Sequence, residues 1–225
     1  MPQLAPPVAQ VGSNGPKRHM RVAPSPHPPD AKLELRKTLR ARRRALSVSE
    51  RAERSGLATK FITRLAQFAS GRRIALTLSF DREIDTSALI AAARRRGVRL
   101  YTPVVVDKRH ARLRFYPLEK NTRPGTYGIL VPRRMRRPVS PRWFDLIVVP
   151  LVGVDPGGRR LGMGGGYYDA AMAFRRLRIG WRGPRLVGFA FDCQRAETVY
   201  AESWDLKLDD LATESGLRHY REETP

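Results

Sequence analysis

The stretch Asp155-Pro-Gly-Gly-Arg-Arg-Leu-Gly-Met-Gly-Gly-Gly-Tyr-Tyr-Asp169 gathers six glycines and two arginines within fifteen residues. Glycine lets backbone N–H groups approach an anion closely, arginine pairs with its oxygens, and a following helix adds partial positive charge. Such a loop is a place to hold phosphate, and Asp169 at its end can hold the metal that accompanies a nucleotide. Neither G-x-x-x-x-G-K-[ST] nor a properly spaced G-x-G-x-x-G occurs in the chain, so a flexible loop with no ligand is the competing reading. A second basic set, Lys32, Arg36, Arg40 and Arg43, forms one stripe of a helix. Lys32 and Arg36, one turn apart, can reach a polyphosphate together; a solvated basic face or an RNA-binding stripe are the alternatives. In Asp81-Arg-Glu-Ile-Asp-Thr86, Asp85 can cap a helix. Glu83 has no such structural duty and can hold a substrate N–H or accept a proton. Tyr167 and Tyr168 can stack on a ring or pack under a sheet, and core packing is expected for one of them. Asp205 and Glu214 read as surface acids.

Positioning these groups requires a scaffold, and the hydrophobic pattern supplies one. A first helix is expected over Ala31–Leu46 with Asp30 as N-cap, Leu35, Leu39 and Leu46 sharing a face. Ser47-Val-Ser-Glu50 is a capping box for a second helix to about Phe68. Thereafter strand and helix alternate: strand Ile74–Phe80, helix Thr86–Arg96, strand Val98–Val106, a short strand Leu113–Leu118 and a turn-rich loop Asn121–Pro141. The apolar run Phe144–Val152 is the central strand. The glycine loop follows it, then a helical segment Tyr167–Leu177 and a last strand Arg185–Asp192. This alternation predicts a single α/β domain over residues 31–225, a mostly parallel sheet with helices on both faces in three layers, Rossmann-like. Ligands in such sheets sit beyond the carboxyl ends of the strands, which gathers Ser79–Thr86, Thr126–Pro132 and the glycine loop at one rim.

Residues 1–30 hold eight of the 18 prolines and are expected to be a disordered leader, with Met20 a conceivable start. Forty-three Lys+Arg against 21 Asp+Glu give a formal charge of +22, which favours anionic partners without choosing among them. The lone Cys193 excludes an intrachain disulfide and a cysteine-based zinc site, and its strand-like surroundings predict an inert core thiol. His19, His27, His110 and His219 show no metal-ligand spacing. No apolar stretch approaches the ~20 residues that span a bilayer, which leaves a reducing cytoplasm as the default location.

Taken together, these segments resemble the 5-formyltetrahydrofolate cyclo-ligase family. The resemblance starts with Lys32-x-x-Leu35-Arg36-x-x-x-Arg40-x-x-Arg43-x-x-Leu46-Ser47 and runs through Glu83-Ile-Asp-Thr86, Phe144-Asp-Leu-Ile-Val-Val-Pro150 and the glycine loop. It ends with Gly188-Phe-Ala-Phe-x-x-Gln194 and Trp204-Asp205-x-x-Leu208-Asp209-x-x-x-Thr213-Glu214. It implies an enzyme, working as a monomer without obligate nucleic acid or membrane. Using ATP and Mg²⁺, that enzyme closes 5-formyltetrahydrofolate to 5,10-methenyltetrahydrofolate through a phosphorylated formyl oxygen. By the same resemblance, Lys32 and Arg36 clamp phosphates, and Gly158, Arg159, Arg160, Leu161, Gly162, Met163, Gly164, Gly165, Gly166, Tyr167 and Tyr168 wrap the nucleotide. Asp169 holds Mg²⁺, and Glu83, Arg160 and Asp169 act in the chemistry. Glu83 engages the folate near N10, with Tyr127 and Tyr168 lining its pocket. Two departures stand out. Gly128-Ile-Leu-Val-Pro132 replaces a Pro-Glu/Gln-Pro turn, and Gly165 stands where many members carry lysine. A nucleic-acid-binding protein, or a diverged regulatory or thiamine-salvage relative that binds nucleotide or another cofactor, is the rival reading.

Overall fold

The computed structural model describes Pro28, residues 30–177 and residues 183–220. The expectations for the proline-rich leader, Met20, His19 and His27 therefore lie outside the described residues. Four α-helices are described, α1 (Ala31–Ala45), α2 (Val48–Thr63), α3 (Ser87–Arg95) and α4 (Tyr167–Ala171). The strands are β1 (Arg73–Leu76), β2 (Arg99–Asp107), β3 (Arg112–Pro117), β4 (Thr122–Pro124), β5 (Leu130–Pro132), β6 (Leu146–Val149), β7 (Gly153–Val154), β8 (Arg160–Leu161), β9 (Arg185–Phe189), β10 (Asp210–Thr213) and β11 (Gly216–His219).

Seven strands form the main sheet in the order β11-β10-β9-β6-β1-β2-β3. The five inner strands run parallel, while β3 and β11 close the two edges antiparallel. From β1 the chain first steps outward to β2, then returns to the other side of β1 for β6, β9 and β10. That reversal, between β1 and β6, opens a crevice at the carboxyl ends of the strands. α2 and α3 bury Ala58, Ile62, Leu89 and Ala93 against Ile74, Leu76, Leu146 and Val148 on one face. Met172, Phe174, Leu206 and Leu208 cover Ile147, Val149, Leu186 and Leu211 on the other. Among the described residues, this second face carries the short α4, a 3₁₀ turn (Ala173–Leu177) and the C-terminal connection. α1 packs Leu39 against Val152, Leu161 and Val199, away from both sheet faces.

Several boundaries differ from the sequence expectation, each for a local reason. Asp30 caps α1 through its carbonyl, which accepts the Leu33 and Glu34 N–H groups; its side chain makes no cap bond. α1 stops at Ala45 because Leu46 turns extended ahead of the Ser47–Glu50 capping box, which forms as expected. α2 ends at Thr63, and turns rather than helix carry the chain to Phe68. β1 ends at Leu76, so Thr77–Phe80 leave the sheet for the crevice. β6 spans only Leu146–Val149. Helix stops at Ala171 instead of continuing to Leu177. Arg185–Asp192 does not hold the last strand, since β10 and β11 follow. The Asn121–Pro141 segment contains the β4–β5 hairpin. Cys193 lies half-buried in a 3₁₀ turn (Asp192–Gln194) rather than in a strand, and burial pushes its thiol up, which agrees with an inert group.

Leu39 is fully buried and holds α1 to the strand-end loops. Leu39→Ala should lower stability by about 2–5 kcal/mol, read as a lower urea midpoint at unchanged slope.

Candidate active site

A cavity of about 650 Å³ opens at the crevice between β1 and β6. Thr77 follows β1 and Pro150 follows β6, and both line it. Three further walls come from the turn after β1 (Phe80, Glu83), the β4–β5 hairpin with its Thr126–Gly128 turn, and the glycine loop. The rim expected from the alternating pattern is therefore assembled.

The polar wall is built by α1 and the glycine loop. Arg36 Nε donates to the Gly162 carbonyl at 2.8 Å, and burial pushes its guanidinium down while Asp205 partly offsets this. Lys32 Nζ donates to Asp205 Oδ2 at 3.1 Å and lies 3.6 Å from Glu202. Gly164 has φ +99°, a backbone that an L side chain rarely adopts, and the space beside it belongs to the Arg36 guanidinium. Arg160 is nearly buried; its Nη2 donates to both oxygens of Asp169, at 3.0 and 3.1 Å, and its guanidinium lies 5.5 Å from the Tyr168 ring centre. Asp169 also accepts the Leu206 N–H at 2.9 Å. Tyr168 shares a 2.7 Å hydrogen bond with Thr77, and burial pushes its phenol far up, so it is a neutral hydrogen-bonding group. Tyr167, half-buried, points its hydroxyl to that of Tyr127 at 3.0 Å across the mouth.

The other wall is mostly apolar, with Pro103, Val105, Leu113, Ile129 and Val131. Glu83 stands against it, its side chain 18% exposed. Burial raises its carboxyl above the ordinary range, and the nearby Arg43 opposes that rise. Asp81, two residues earlier, receives Arg40 at 2.6 Å, Arg44 at 2.7 Å and Arg43 at 3.4 Å.

Of the residues expected at the site, Lys32, Arg36, Glu83, Tyr127, Arg160 to Tyr168 and Asp169 all line this cavity. Gly158 and Arg159 do not. Gly158 is buried against the Tyr220 ring, and Arg159 is exposed in a bridge to Lys207. The solvated-face reading of α1 is corrected as well: Arg43 is 1% exposed, and Arg36 and Arg40 are half-buried. Asp205 is not a plain surface acid, since it lines the cavity and holds Lys32. Glu214 is also enclosed, between Arg54 and the Asp192 N–H. The helix-dipole contribution at the glycine loop shrinks, because α4 has five residues behind a left-handed Gly166. Phe80 and Trp204 also line the cavity; no motif marks Phe80, and Trp204 heads the C-terminal motif without a site role until the fold brings it there.

With this geometry in view, comparison with known proteins is decisive. The model of the 5-formyltetrahydrofolate cyclo-ligase family matches residues 29–214. The chain belongs to that family. The 5-formyltetrahydrofolate cyclo-ligase of Escherichia coli K12 is 34% identical over 182 residues, covering 79% of this chain and 97% of the relative. The mouse cyclo-ligase is 28% identical over 196 residues, 82% of this chain and 94% of its own. The solved 5,10-methenyltetrahydrofolate synthetase of Aquifex aeolicus superposes with a TM-score of 0.71 at 29% identity, covering 86% of this chain and 95% of that one. No helix among the described residues is long and apolar enough to cross a membrane.

Asp81 anchors the turn beside the site, and its pH response follows from its contacts. Burial alone would raise its carboxyl, but the Arg44 and Arg40 hydrogen bonds win and hold it below the ordinary 3.8. The stabilisation is therefore complete above that value and lost as pH falls through the lowered pKa. Asp81→Asn should melt below the parent at pH 7, with the gap narrowing only once pH falls below 3.8, in parallel thermal scans at stepped pH.

Proposed function

We propose that this enzyme closes 5-formyltetrahydrofolate to 5,10-methenyltetrahydrofolate, using ATP and Mg²⁺ and releasing ADP and phosphate. The observation that carries the reading is a single cavity with a cationic, glycine-lined wall and an apolar wall, lined also by the half-buried carboxylate of Glu83. That is the surface a polyphosphate and a pterin-bearing substrate need in order to meet.

A formyl amide is a poor electrophile, and its oxygen is a poor leaving group. Transfer of the terminal phosphoryl of ATP to the formyl oxygen cures both: a P–O bond forms to that oxygen as the bond to ADP breaks. N10 then attacks the formyl carbon and loses its proton. The C–O bond breaks, and the oxygen departs within phosphate. Such transfer asks a protein mainly for positioning and charge neutralisation. Lys32 and Arg36 clamp phosphates, the backbone of Gly162–Gly166 approaches them closely, and Arg160 balances developing charge from behind Asp169. Burial suits Glu83 to holding the N10 hydrogen and accepting its proton. Tyr127 and Tyr168 line the folate side, where Ile129 and Val131 provide apolar contact in place of a polar turn. Gly165 leaves the phosphate contacts to Arg36, Arg160 and backbone N–H groups.

The donor set also fits a magnesium ion, which needs one or two carboxylates beside phosphate oxygens and water. Asp169 already accepts three bonds, which leaves it room for one further ligand contact. Bound there, Mg²⁺ would neutralise phosphate charge. We read the protein as a cytoplasmic monomer.

The test is to follow the methenyl chromophore with and without ATP. ATP-dependent product is expected, and its absence sinks the proposal. Glu83→Gln should fold and bind ATP yet lose most turnover. In the parent, kcat/KM should fall on acidification with a midpoint above the ordinary glutamate value of 4.5, because the raised carboxyl must be ionised to act. Arg36→Met should raise KM for ATP by about tenfold or more, the loss of one charge-assisted contact.

A further inference from the structure

The turn that presents Glu83 is strained. Asp81 (φ 48°) and Arg82 (φ 60°) are consecutive non-glycine residues in the left-handed region, a conformation that persists only where the surroundings over-determine it. The turn closes locally through Glu83 N–H donating to the Phe80 carbonyl at 2.9 Å. What grips it from outside is α1. Arg43 Nη2 donates to the Asp81 carbonyl at 2.8 Å, and Arg40 and Arg44 take the Asp81 carboxylate.

Arg43 differs from its two neighbours. Its side chain is 1% exposed, and among the described residues its Nε and Nη1 have no hydrogen-bond partner, whereas Arg40 lacks one at Nε alone. Nη1 lies 4.0 Å from Glu83 Oε1, and both residues line a small cavity of about 20 Å³ with Thr77, Ser79 and Thr86. Burying a guanidinium with two idle donors is expensive, and helix packing does not demand it, since Leu39 already fastens α1. An interaction that costs stability and faces a buried carboxylate points to the site.

We propose that Arg43 is the positioning residue of Glu83: it locks the Asp81–Arg82 turn through the Asp81 carbonyl while its free Nη1 edge fixes and charge-balances the Glu83 carboxylate. At 4.0 Å the pairing acts through space; Oε2 accepts the Phe80 N–H at 3.4 Å, and Oε1 keeps its lone pairs for substrate. Glu83 is faced by Arg40 and Arg43 from α1, by Asp81 in its own turn and by the Tyr168 hydroxyl from α4; Lys32, Arg36, Arg160, Asp169 and Asp205 share the larger cavity. Among these, Arg43 is the chief force opposing the effect of burial on Glu83.

The inference rests on the assignment of Glu83 to the folate amine, so its test reads Glu83 without turnover. Protein carrying carboxyl-¹³C glutamate is titrated without nucleotide or folate, with Glu83→Gln assigning the resonance. Arg43→Gln keeps an N–H for the Asp81 carbonyl but removes the charge, and the Glu83 midpoint should rise by about one pH unit or more. Arg43→Lys restores charge without the fork, and the midpoint should return most of the way. A folded Arg43→Gln protein with an unmoved midpoint overturns the proposal. Should Arg43→Gln fail to fold, Arg43→Lys decides by kinetics. A fall of about tenfold in kcat at a KM for ATP within twofold supports positioning, and an unchanged kcat overturns it. An inactive parent enzyme would overturn the proposed reaction instead and leave the titration standing.

Discussion

Three guanidinium groups from one helix converge on a single carboxylate, Asp81, and the arrangement of the site depends on that contact. Like charges one turn apart repel unless an acid stands between them, so the arginines of α1 can be turned inward only where the chain returns a carboxylate. The turn after β1 supplies it. The cost is two left-handed residues and a guanidinium with idle donors; the gain is a helix tied to the loop that carries Glu83. The same helix reaches the C-terminal connection through Lys32–Asp205 and the glycine loop through Arg36–Gly162. α1 is thus a strut joining three loops that leave the sheet at different strands.

The sheet decides why those loops meet. Because chain order reverses between β1 and β6, the connections after these strands diverge and leave a crevice. Thr77 and Pro150 stand at its floor, and the walls differ because the loops differ: glycine and arginine on one side, valine, leucine and isoleucine on the other. The proposed reaction needs this asymmetry, a place for a polyanion and a place for a flat heterocycle within one enclosure that limits the solvent between them.

Much of this was legible in the sequence. The parallel core followed from alternating strand and helix patterns, and the Ser47–Glu50 capping box formed as its spacing required. The glycine loop, Lys32, Arg36, Glu83 and Asp169 converge because all sit at strand ends or on the helix over them. Residues whose role depends on long-range return of the chain were not legible. Asp205 looks like any surface acid until Lys32 meets it across 173 positions, and Arg43 reads as one more solvated arginine until Asp81 comes back to it. Gly158 failed for the opposite reason: its glycine answers to the Tyr220 ring and not to a ligand. The last two strands carry little signal, because each is four residues long and lacks a continuous apolar run.

The central claim is that the two walls pass a phosphoryl group directly to the formyl oxygen. It is tested most directly with 5-formyltetrahydrofolate labelled with oxygen-18 in the formyl group. One turnover with ATP and Mg²⁺, followed by mass spectrometry of the released phosphate, traces the oxygen. The account predicts that the label leaves in inorganic phosphate, one labelled oxygen for each methenyl product. Unlabelled phosphate, with the heavy oxygen recovered in water, would contradict it.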